Sequence, residues 1–275
     1  MDGTETGEVR QVPRDLRTDV PHPARIYDYV LGGKDNFAAD RTVAEQGLRI
    51  NPQIRVTART NRAFMARVVR HLAAESGVRQ FLDIGTGLPT APNVHQVAQA
   101  VTPDARIVYV DNDPIVLAHA RALLTSSPEG CTEYVDADVR DIDRILTSPR
   151  LRATLDLDQP VALLLIALLH LIPDEDEPQR MLSRLVEALP SGSYVALTHL
   201  TADFAPERME ASAAHLRDSG VTMQMRTKAQ VEGFFTGLDL VAPGVRPAAR
   251  WRPDPSEPPV ADDEASIYAG VARKP

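Results

Sequence analysis

The chain has 275 residues, of which 43% are hydrophobic, and a formal net charge of −8 at pH 7. Its length suits one α/β domain with additions, or two domains at most, and its negative charge disfavours a general nucleic-acid binder, which needs Lys and Arg to displace counterions from phosphates. Cys131 is the only cysteine, so we expect no internal disulfide. The polar start MDGTETGEVR is not a secretory signal, and the longest apolar run, 161–172, is too short to span a bilayer. We therefore expect a cytoplasmic protein without a membrane segment.

The N-terminal quarter is predicted to be a tail followed by helices. Residues 1–20 are charged and lack apolar periodicity, so we expect a disordered tail. Pro23 suits the first turn of a short helix that the Gly32-Gly33 pair ends, and a second helix follows up to the break at Asn51-Pro52. The third helix carries one apolar stripe, made of Phe64, Met65, Val68, Val69 and Leu72. We therefore expect a helical cap over 21–75 and a core over 76–275.

Strands and helices alternate after residue 76. The predicted strands are 80–85, 105–111, 132–138, 161–170 and 192–200. The predicted helices between and after them are 92–101, 114–124, 140–148, 178–189 and 206–219. Alternation of this kind indicates a parallel sheet with right-handed crossovers.

The C-terminal part breaks this alternation. Residues 237–244 and 265–274 resemble strands, and a Pro-rich connection without a helical pattern joins them. Such a pair is more plausibly antiparallel at the edge of a sheet. The sequence therefore predicts an α/β fold with a seven-stranded sheet whose last strand is antiparallel and inserted beside the fifth.

Three acids end consecutive predicted strands. The first strand runs into Asp83 and a Gly85-Thr86-Gly87 turn, where glycines let the backbone approach a ligand closely. Asp111 ends the second strand, where a carboxylate can accept hydrogen bonds from both hydroxyls of a ribose. The third strand ends in residues 136–139, where Asp138 suits an adenine amino group and Val139 suits its ring. Each acid alone is often only a helix cap, but the ordered set favours a nucleoside site at the carboxyl edge of the sheet.

A dinucleotide is the first alternative ligand for this site. The dinucleotide fingerprint requires a third glycine at position 90, where this chain has Thr90 after Leu88-Pro89. Because S-adenosylmethionine has no phosphate, it does not need the pyrophosphate cradle that the third glycine helps to build.

Several long segments resemble one protein family. They include PARIYDYVLGGKDNFAADR, FLDIGTGLPT and GSYVALTHLTADF. Over roughly residues 20–275, the chain resembles a family of bacterial S-adenosylmethionine-dependent methyltransferases, typical of high-GC filamentous bacteria and once catalogued as a domain of unknown function. The resemblance implies a class I, Rossmann-like methyltransferase core, an N-terminal helical extension and S-adenosylmethionine as the cofactor, but no particular acceptor. It places cofactor contacts at Asp83, Gly85, Thr86, Gly87, Asp111, Asn112, Asp138 and Val139.

The block from Tyr27 to Phe37 is dense in aromatic and polar residues. We interpret it as a lid over the pocket, with Tyr27, Asn36 and Arg62 closest to the ligand. The alternative is a pair of helices that only pack on the core, with Asp35 or Asn36 as a capping residue.

His170 follows the fourth predicted strand and is the candidate catalytic residue. Its position looks like that of the general-base histidine in plant small-molecule O-methyltransferases, although Leu171-Ile172 replaces their Asp-Trp. A structural histidine that holds the loop through a backbone hydrogen bond is the alternative, and His199 is a second, weaker candidate base. The acidic run 174–177 precedes a helix, whose N-terminus favours acids, so we predict no metal site.

Methyl transfer from a sulfonium is a direct displacement that requires alignment and exclusion of water rather than one obligatory motif. No Asn-Pro-Pro-Tyr or Asp-Pro-Pro-Tyr tetrapeptide follows the fourth strand, so a small molecule is the expected acceptor by elimination. Two alternatives remain open. One is a regulatory protein that binds the cofactor or its demethylated product without catalysis, and the other is a nicotinamide-dependent oxidoreductase.

Overall fold

The structure is a computed structural model that describes residues 16–123 and 125–275. The tail expected over 1–20 lies outside the described residues up to position 15. Residues 17–20 form a turn in which the Val20 N–H donates to the Arg17 carbonyl oxygen at 3.2 Å. No helix in the described part of the chain is long and apolar enough to cross a membrane.

Three helices precede the sheet: α1 (Pro23–Leu31), α2 (Ala38–Ile50) and α3 (Ile54–Ala74). α1 begins as predicted, with proline in its first turn and the His22 side chain accepting a hydrogen bond from the Ala24 N–H at 3.3 Å. It ends at Gly32, whose φ of 88° lies in the left-handed region that favours glycine.

The predicted stripe of α3 is buried against the sheet. All five of its residues are at most 1% exposed, and they belong to one apolar cluster with Phe81 and Ile107 of the sheet. The buried Trp251 joins this cluster, with its ring edge-on to Phe64 at 5.3 Å between centroids. α3 is therefore tied to the sheet by a shared core, which fixes the position of the helices in front of it.

The sheet has the predicted topology, with one additional two-residue strand that was not predicted. Its strands are β1 (Gln80–Ile84), β2 (Arg106–Asp111), β3 (Cys131–Asp136), β4 (Ala162–Leu165), β5 (Tyr194–Leu200), β6 (Asp239–Leu240), β7 (Arg246–Pro247) and β8 (Ile267–Arg273). The order is β3-β2-β1-β4-β5-β8-β6, and the short β7 also pairs with β8. The first five strands are parallel, whereas β8 is antiparallel to both β5 and β6. The insertion of an antiparallel last strand beside the fifth is thus confirmed, as is the class I methyltransferase fold.

The fourth strand is much shorter than the predicted 161–170. The prediction was wrong beyond Leu165, because a continuous apolar run does not distinguish a buried strand from a buried turn. Ala167 adopts a left-handed φ of 56°, and residues 169–171 form one turn of 3₁₀ helix. His170 therefore lies in a tight turn rather than at the end of a strand.

Several other boundaries also differ from the prediction. The helices of the core are α4 (Val94–Val101), α5 (Pro114–Leu123), α6 (Ile142–Leu146), α7 (Pro149–Thr154), α8 (Pro178–Glu187), α9 (Pro206–Asp218), α10 (Lys228–Gly233) and α11 (Asp262–Ala265). The predicted helix over 140–148 stops before Pro149, which begins another helix, and α10 and α11 were not predicted. Only Asp239 and Leu240 of the strand expected over 237–244 form a regular strand, since Gly237 and Gly244 both have positive φ.

Candidate functional site

A cavity of about 460 Å³ opens at the carboxyl ends of the parallel strands, under the N-terminal helices. Eleven of the twelve predicted site residues line it: Tyr27, Arg62, Asp83, Gly85, Thr86, Gly87, Asp111, Asn112, Asp138, Val139 and His170. The topology explains this convergence, because β1, β2 and β3 are adjacent and parallel and their ends meet at one edge.

The glycine turn after β1 passes close to the loop after β4. Gly85 and Gly87 have φ values of 74° and 67°, which L side chains rarely adopt. A Cβ atom at Gly85 would lie 2.7 Å from Cδ1 of Leu168. The turn therefore favours glycine at position 85, and a larger residue there would also displace the Leu168 side chain.

Asp111 is buried and connects the glycine turn to the next loop. One carboxylate oxygen accepts a hydrogen bond from the Gly87 N–H at 2.9 Å, and the other accepts from the Asp113 N–H at 3.0 Å. Burial raises the pKa of Asp111, although these two hydrogen bonds act in the opposite direction. Asp113 in turn pairs with Nε of the buried Arg25 at 2.9 Å, which fastens α1 beside this acid.

Asp83 is the second buried carboxylate in the cavity wall. It accepts a hydrogen bond from the Thr86 hydroxyl at 3.0 Å. Burial raises the pKa of Asp83 to about 6, although Thr86 and the positive charge of Arg62 lower it. Arg62 donates to the carbonyl oxygens of Thr90 and Pro92, and its buried Nε has no hydrogen-bond partner. This end of the cavity thus combines a carboxylate with a guanidinium.

Asp138 completes the row of acids after β3. It accepts hydrogen bonds from the Asn112 amide at 2.8 Å and from the Arg140 backbone N–H at 2.9 Å. Burial alone would raise the pKa of Asp138, but these hydrogen bonds and the Arg140 charge outweigh it, so the pKa lies below its ordinary value. Asp138 is therefore ionised and can accept a hydrogen bond from a ligand.

A chain of hydrogen bonds joins α1 to the loop after β4. The Tyr27 hydroxyl donates to the Ala58 carbonyl at 3.1 Å and accepts from the Asn61 amide at 2.9 Å. The oxygen of that amide accepts from the Thr198 hydroxyl at 2.7 Å, and this hydroxyl accepts from the Ala167 N–H at 2.7 Å. The network holds Ala167 in its left-handed conformation at the cavity wall.

Asn36 is the one predicted site residue that does not line the cavity. Its side chain donates to a carboxylate oxygen of Asp28 at 2.7 Å, and the same oxygen accepts from the Asp35 N–H at 3.0 Å. A Cβ atom at Gly33 would lie 1.9 Å from the other oxygen of Asp28. The polar block after α1 is thus a turn built around Asp28, with Asn36 in a supporting position.

His170 is 5% exposed, lines the cavity and has an Nδ1 atom without a hydrogen-bond partner. Burial, together with the nearby His199 and Arg226, holds the pKa of His170 well below its ordinary value. The imidazole is therefore neutral around pH 7, as a proton acceptor requires.

His199 lies behind His170 and outside the cavity wall. The two rings meet edge-on at 5.6 Å between centroids. Nδ1 of His199 lies 2.7 Å from the Leu200 carbonyl oxygen and Nε2 lies 2.8 Å from Nη1 of Arg226, so Nδ1 carries the proton and Nε2 accepts. Burial lowers the pKa of His199 to about 3. Its role in the structure is that of a fixed neutral neighbour of His170.

A family profile described as S-adenosyl methyltransferase matches residues 9–275 of the sequence. The chain belongs to this family. A solved structure of a DUF574 family protein from Streptomyces avermitilis is similar at 48% sequence identity, with a TM-score of 0.93 over 95% of this chain and 100% of that one. A candidate methyltransferase from Thermobifida fusca is similar at 41% identity, with a TM-score of 0.87 over 95% of this chain and 98% of that one. A search of curated proteins gave no match.

The methyltransferase shares its fold with more distant proteins. Human N-acetylserotonin methyltransferase, solved with SAM, matches at 15% identity and a TM-score of 0.50, over 92% of this chain and 60% of that chain. At this identity the likeness concerns the fold alone.

Sequence reasoning missed several residues of the methyltransferase's site. Arg226 is buried and donates to the carbonyl oxygens of Leu169 and Ile172 at 2.9 and 3.0 Å. These two hydrogen bonds stabilise the turn on both sides of His170. It lies in a segment without regular structure, MQMRTK, which gives no local signal. Asn61 was hidden in the polar side of a helix pattern. The apolar part of the cavity wall carries no motif at all.

Proposed function

We propose that this methyltransferase binds S-adenosylmethionine in the cavity and methylates a small molecule held in the same cavity. The observation that carries the proposal is the convergence of Asp83, Asp111 and Asp138, from three adjacent strands, on one cavity. Each of these carboxylates is at the strand end where open α/β sheets bind nucleosides.

The residues present fit the parts of this cofactor. Asp111 would accept hydrogen bonds from the ribose hydroxyls, since each of its oxygens has one lone pair left beside its backbone donor. Asp138 and Val139 would hold the adenine amino group and ring. Asp83 and Arg62 would bind the ammonium and carboxylate groups of the methionine end, which require opposite charges close together.

When bound, the cofactor supplies a methyl group on a positively charged sulfur, which a lone pair of the acceptor can take. The chain's own contribution is to align the acceptor, exclude water and hold its proton. His170 is the residue that we assign to the proton, because its imidazole is neutral and lines the cavity.

A regulatory binding protein is the alternative function. Such a protein needs no room for an acceptor, and its pocket would be filled beyond the cofactor. Here the cavity continues past the acids to residues that follow β4, to the last residue of β5 and to the loop 220–223 after α9. This extension favours an enzyme over a sensor.

Calorimetry tests the cofactor first. The wild-type protein should bind S-adenosylmethionine and S-adenosylhomocysteine with one site each and should not bind NAD⁺. Binding of NAD⁺ without S-adenosylmethionine would contradict the proposal. Transfer of a labelled methyl group to components of a metabolite extract then tests catalysis, and cofactor binding without any transfer would favour the regulatory alternative.

The role of His170 is tested once an acceptor is found. His170→Gln should reduce turnover by about 10²–10⁴-fold, the range of general-base catalysis, with cofactor affinity nearly unchanged. His119→Gln is the matched control, because His119 lies outside the cavity wall. A structural histidine would instead lower thermal stability and cofactor affinity together, and wild-type turnover in the variant would exclude the base role.

A further inference from the structure

The charged residues of the cavity wall are segregated along the sheet. Those with Asp, Glu, Lys or Arg side chains are Arg62, Asp83, Asp111, Asp138 and Arg140. Four of them lie at or just after the carboxyl ends of β1, β2 and β3, and Arg62 stands beside Asp83. Among the described residues that line the cavity after β4, in β5 and β8, and in and after α9, none is charged at pH 7. We call this second part of the wall, together with the uncharged residues of α1 and α3 that line the cavity, the acceptor half.

The acceptor half is aliphatic and incompletely covered. Six large aliphatic side chains from the strands and helices around it are only half-buried, although they line the cavity: Ile26, Ile54, Ile166, Leu171, Leu200 and Leu216. They come from α1, α3, β5, α9 and the loop after β4. Because these residues sit on separate elements yet face one space, an apolar ligand would remove their exposed surface from water.

The buried polar side chains in this half are already hydrogen-bonded, except for one ring nitrogen of His170. Tyr27 and Asn61 bond to each other, to the Ala58 carbonyl and to the Thr198 hydroxyl. Nδ1 of His170 has no partner although the residue is 95% covered. A ligand in the acceptor half therefore meets the ring of His170 and the exposed hydroxyl of Thr222, but no side chain of opposite charge.

We propose that the methyl acceptor is a neutral, predominantly apolar molecule with a protic group that faces His170. A charged acceptor would lose its hydration here without gaining an ion-pair partner, which is costly, whereas a neutral apolar one gains the contact of six aliphatic side chains. This inference rests on the proposed function, because it takes the acidic half of the cavity to be filled by the cofactor.

Three probes with the same ring and different charge test the inference. They are 2-naphthol, 2-naphthoate and 2-naphthylmethylammonium, titrated by calorimetry near pH 7 into the wild-type protein saturated with S-adenosylhomocysteine. 2-Naphthol should bind more tightly than either ion by a factor of roughly 10 or more. Equal or tighter binding of a charged probe, or no binding of any probe, would overturn the inference. Failure of S-adenosylhomocysteine itself to bind would instead refute the proposed function, so the two failures are distinguishable.

A charge introduced into the acceptor half should reverse the preference. Leu216→Lys should weaken 2-naphthol and strengthen 2-naphthoate, since it supplies the missing opposite charge. Leu240→Lys is the matched control, because Leu240 is 45% exposed and lies outside the cavity wall, and it should leave all three probes unchanged. Circular dichroism checks that each variant is folded, and Ile26→Lys replaces Leu216→Lys if the latter is not. An unchanged order of affinities in a folded acceptor-half variant would show that the probes bind elsewhere.

Discussion

Asp111 provides the sharpest perturbation of the cofactor half of the cavity. Asp111→Asn keeps the size of the side chain but removes its charge and one acceptor oxygen. In the wild type, both oxygens already receive a backbone N–H, from Gly87 and Asp113. The new amide nitrogen would face one of these donors and could no longer accept from a ribose hydroxyl.

The expected loss follows from the number and type of these bonds. A hydrogen bond to a charged group contributes about 1.5–3 kcal/mol. If one such bond to the ribose is lost, affinity for S-adenosylhomocysteine should fall by roughly 10- to 140-fold, at about 1.4 kcal/mol for each factor of ten. Titration calorimetry on both proteins measures this difference directly.

The control for this experiment is Asp136→Asn. Asp136 is the register partner of Asp111 across β2 and β3, but it does not line the cavity, so its replacement should leave affinity unchanged. Wild-type affinity in Asp111→Asn would refute the assignment of this acid to the ribose. An equal loss in both variants would show that the effect comes from the strand ends rather than from a ligand contact.

Two further predictions concern the fold around the site. Gly85→Ala should lower the unfolding temperature and the affinity for S-adenosylhomocysteine. The left-handed φ costs an L residue about 1–2 kcal/mol, and the new Cβ would meet Leu168. Wild-type values in thermal unfolding and calorimetry would contradict this prediction. His199 has a pKa of about 3 in the folded state, below its ordinary value. Between these two pKa values the unfolded state binds a proton that the folded state does not. The contribution of His199 to the free energy of unfolding therefore falls as the pH falls, by about 1.4 kcal/mol per pH unit. The wild-type free energy of unfolding in urea should therefore decrease relative to that of His199→Gln between roughly pH 6 and pH 4, whereas a constant difference would show that His199 titrates normally.

The sheet and the acidic half of the cavity could be predicted because their signals are local and repeated. Strand-helix alternation gives parallel neighbours, and an acid or a glycine turn at the end of each strand marks the ligand edge. Asp83, Asp111 and Asp138 therefore came together as expected. The antiparallel β8 was predictable for a similar reason, since no helical pattern separates it from the preceding strand.

The acceptor half could not be predicted because its contacts are long-range. The apolar run at 161–172 gave no sign that Ala167 would leave the strand, since this turn depends on Thr198, 31 residues away. Arg226, which hydrogen-bonds to the turn around His170, lies in a segment without apolar periodicity. Asn36 was expected at the ligand because it is polar, but the buried Asp28 satisfies its amide instead.

A crystal structure with S-adenosylhomocysteine tests the central claim most directly, because it shows the position of every part of the ligand. The account predicts the ribose hydroxyls on Asp111, the adenine beside Asp138 and Val139, and the sulfur turned towards the acceptor half and His170. A ligand bound outside this cavity, or bound within it with its sulfur directed away from the acceptor half, would contradict the account.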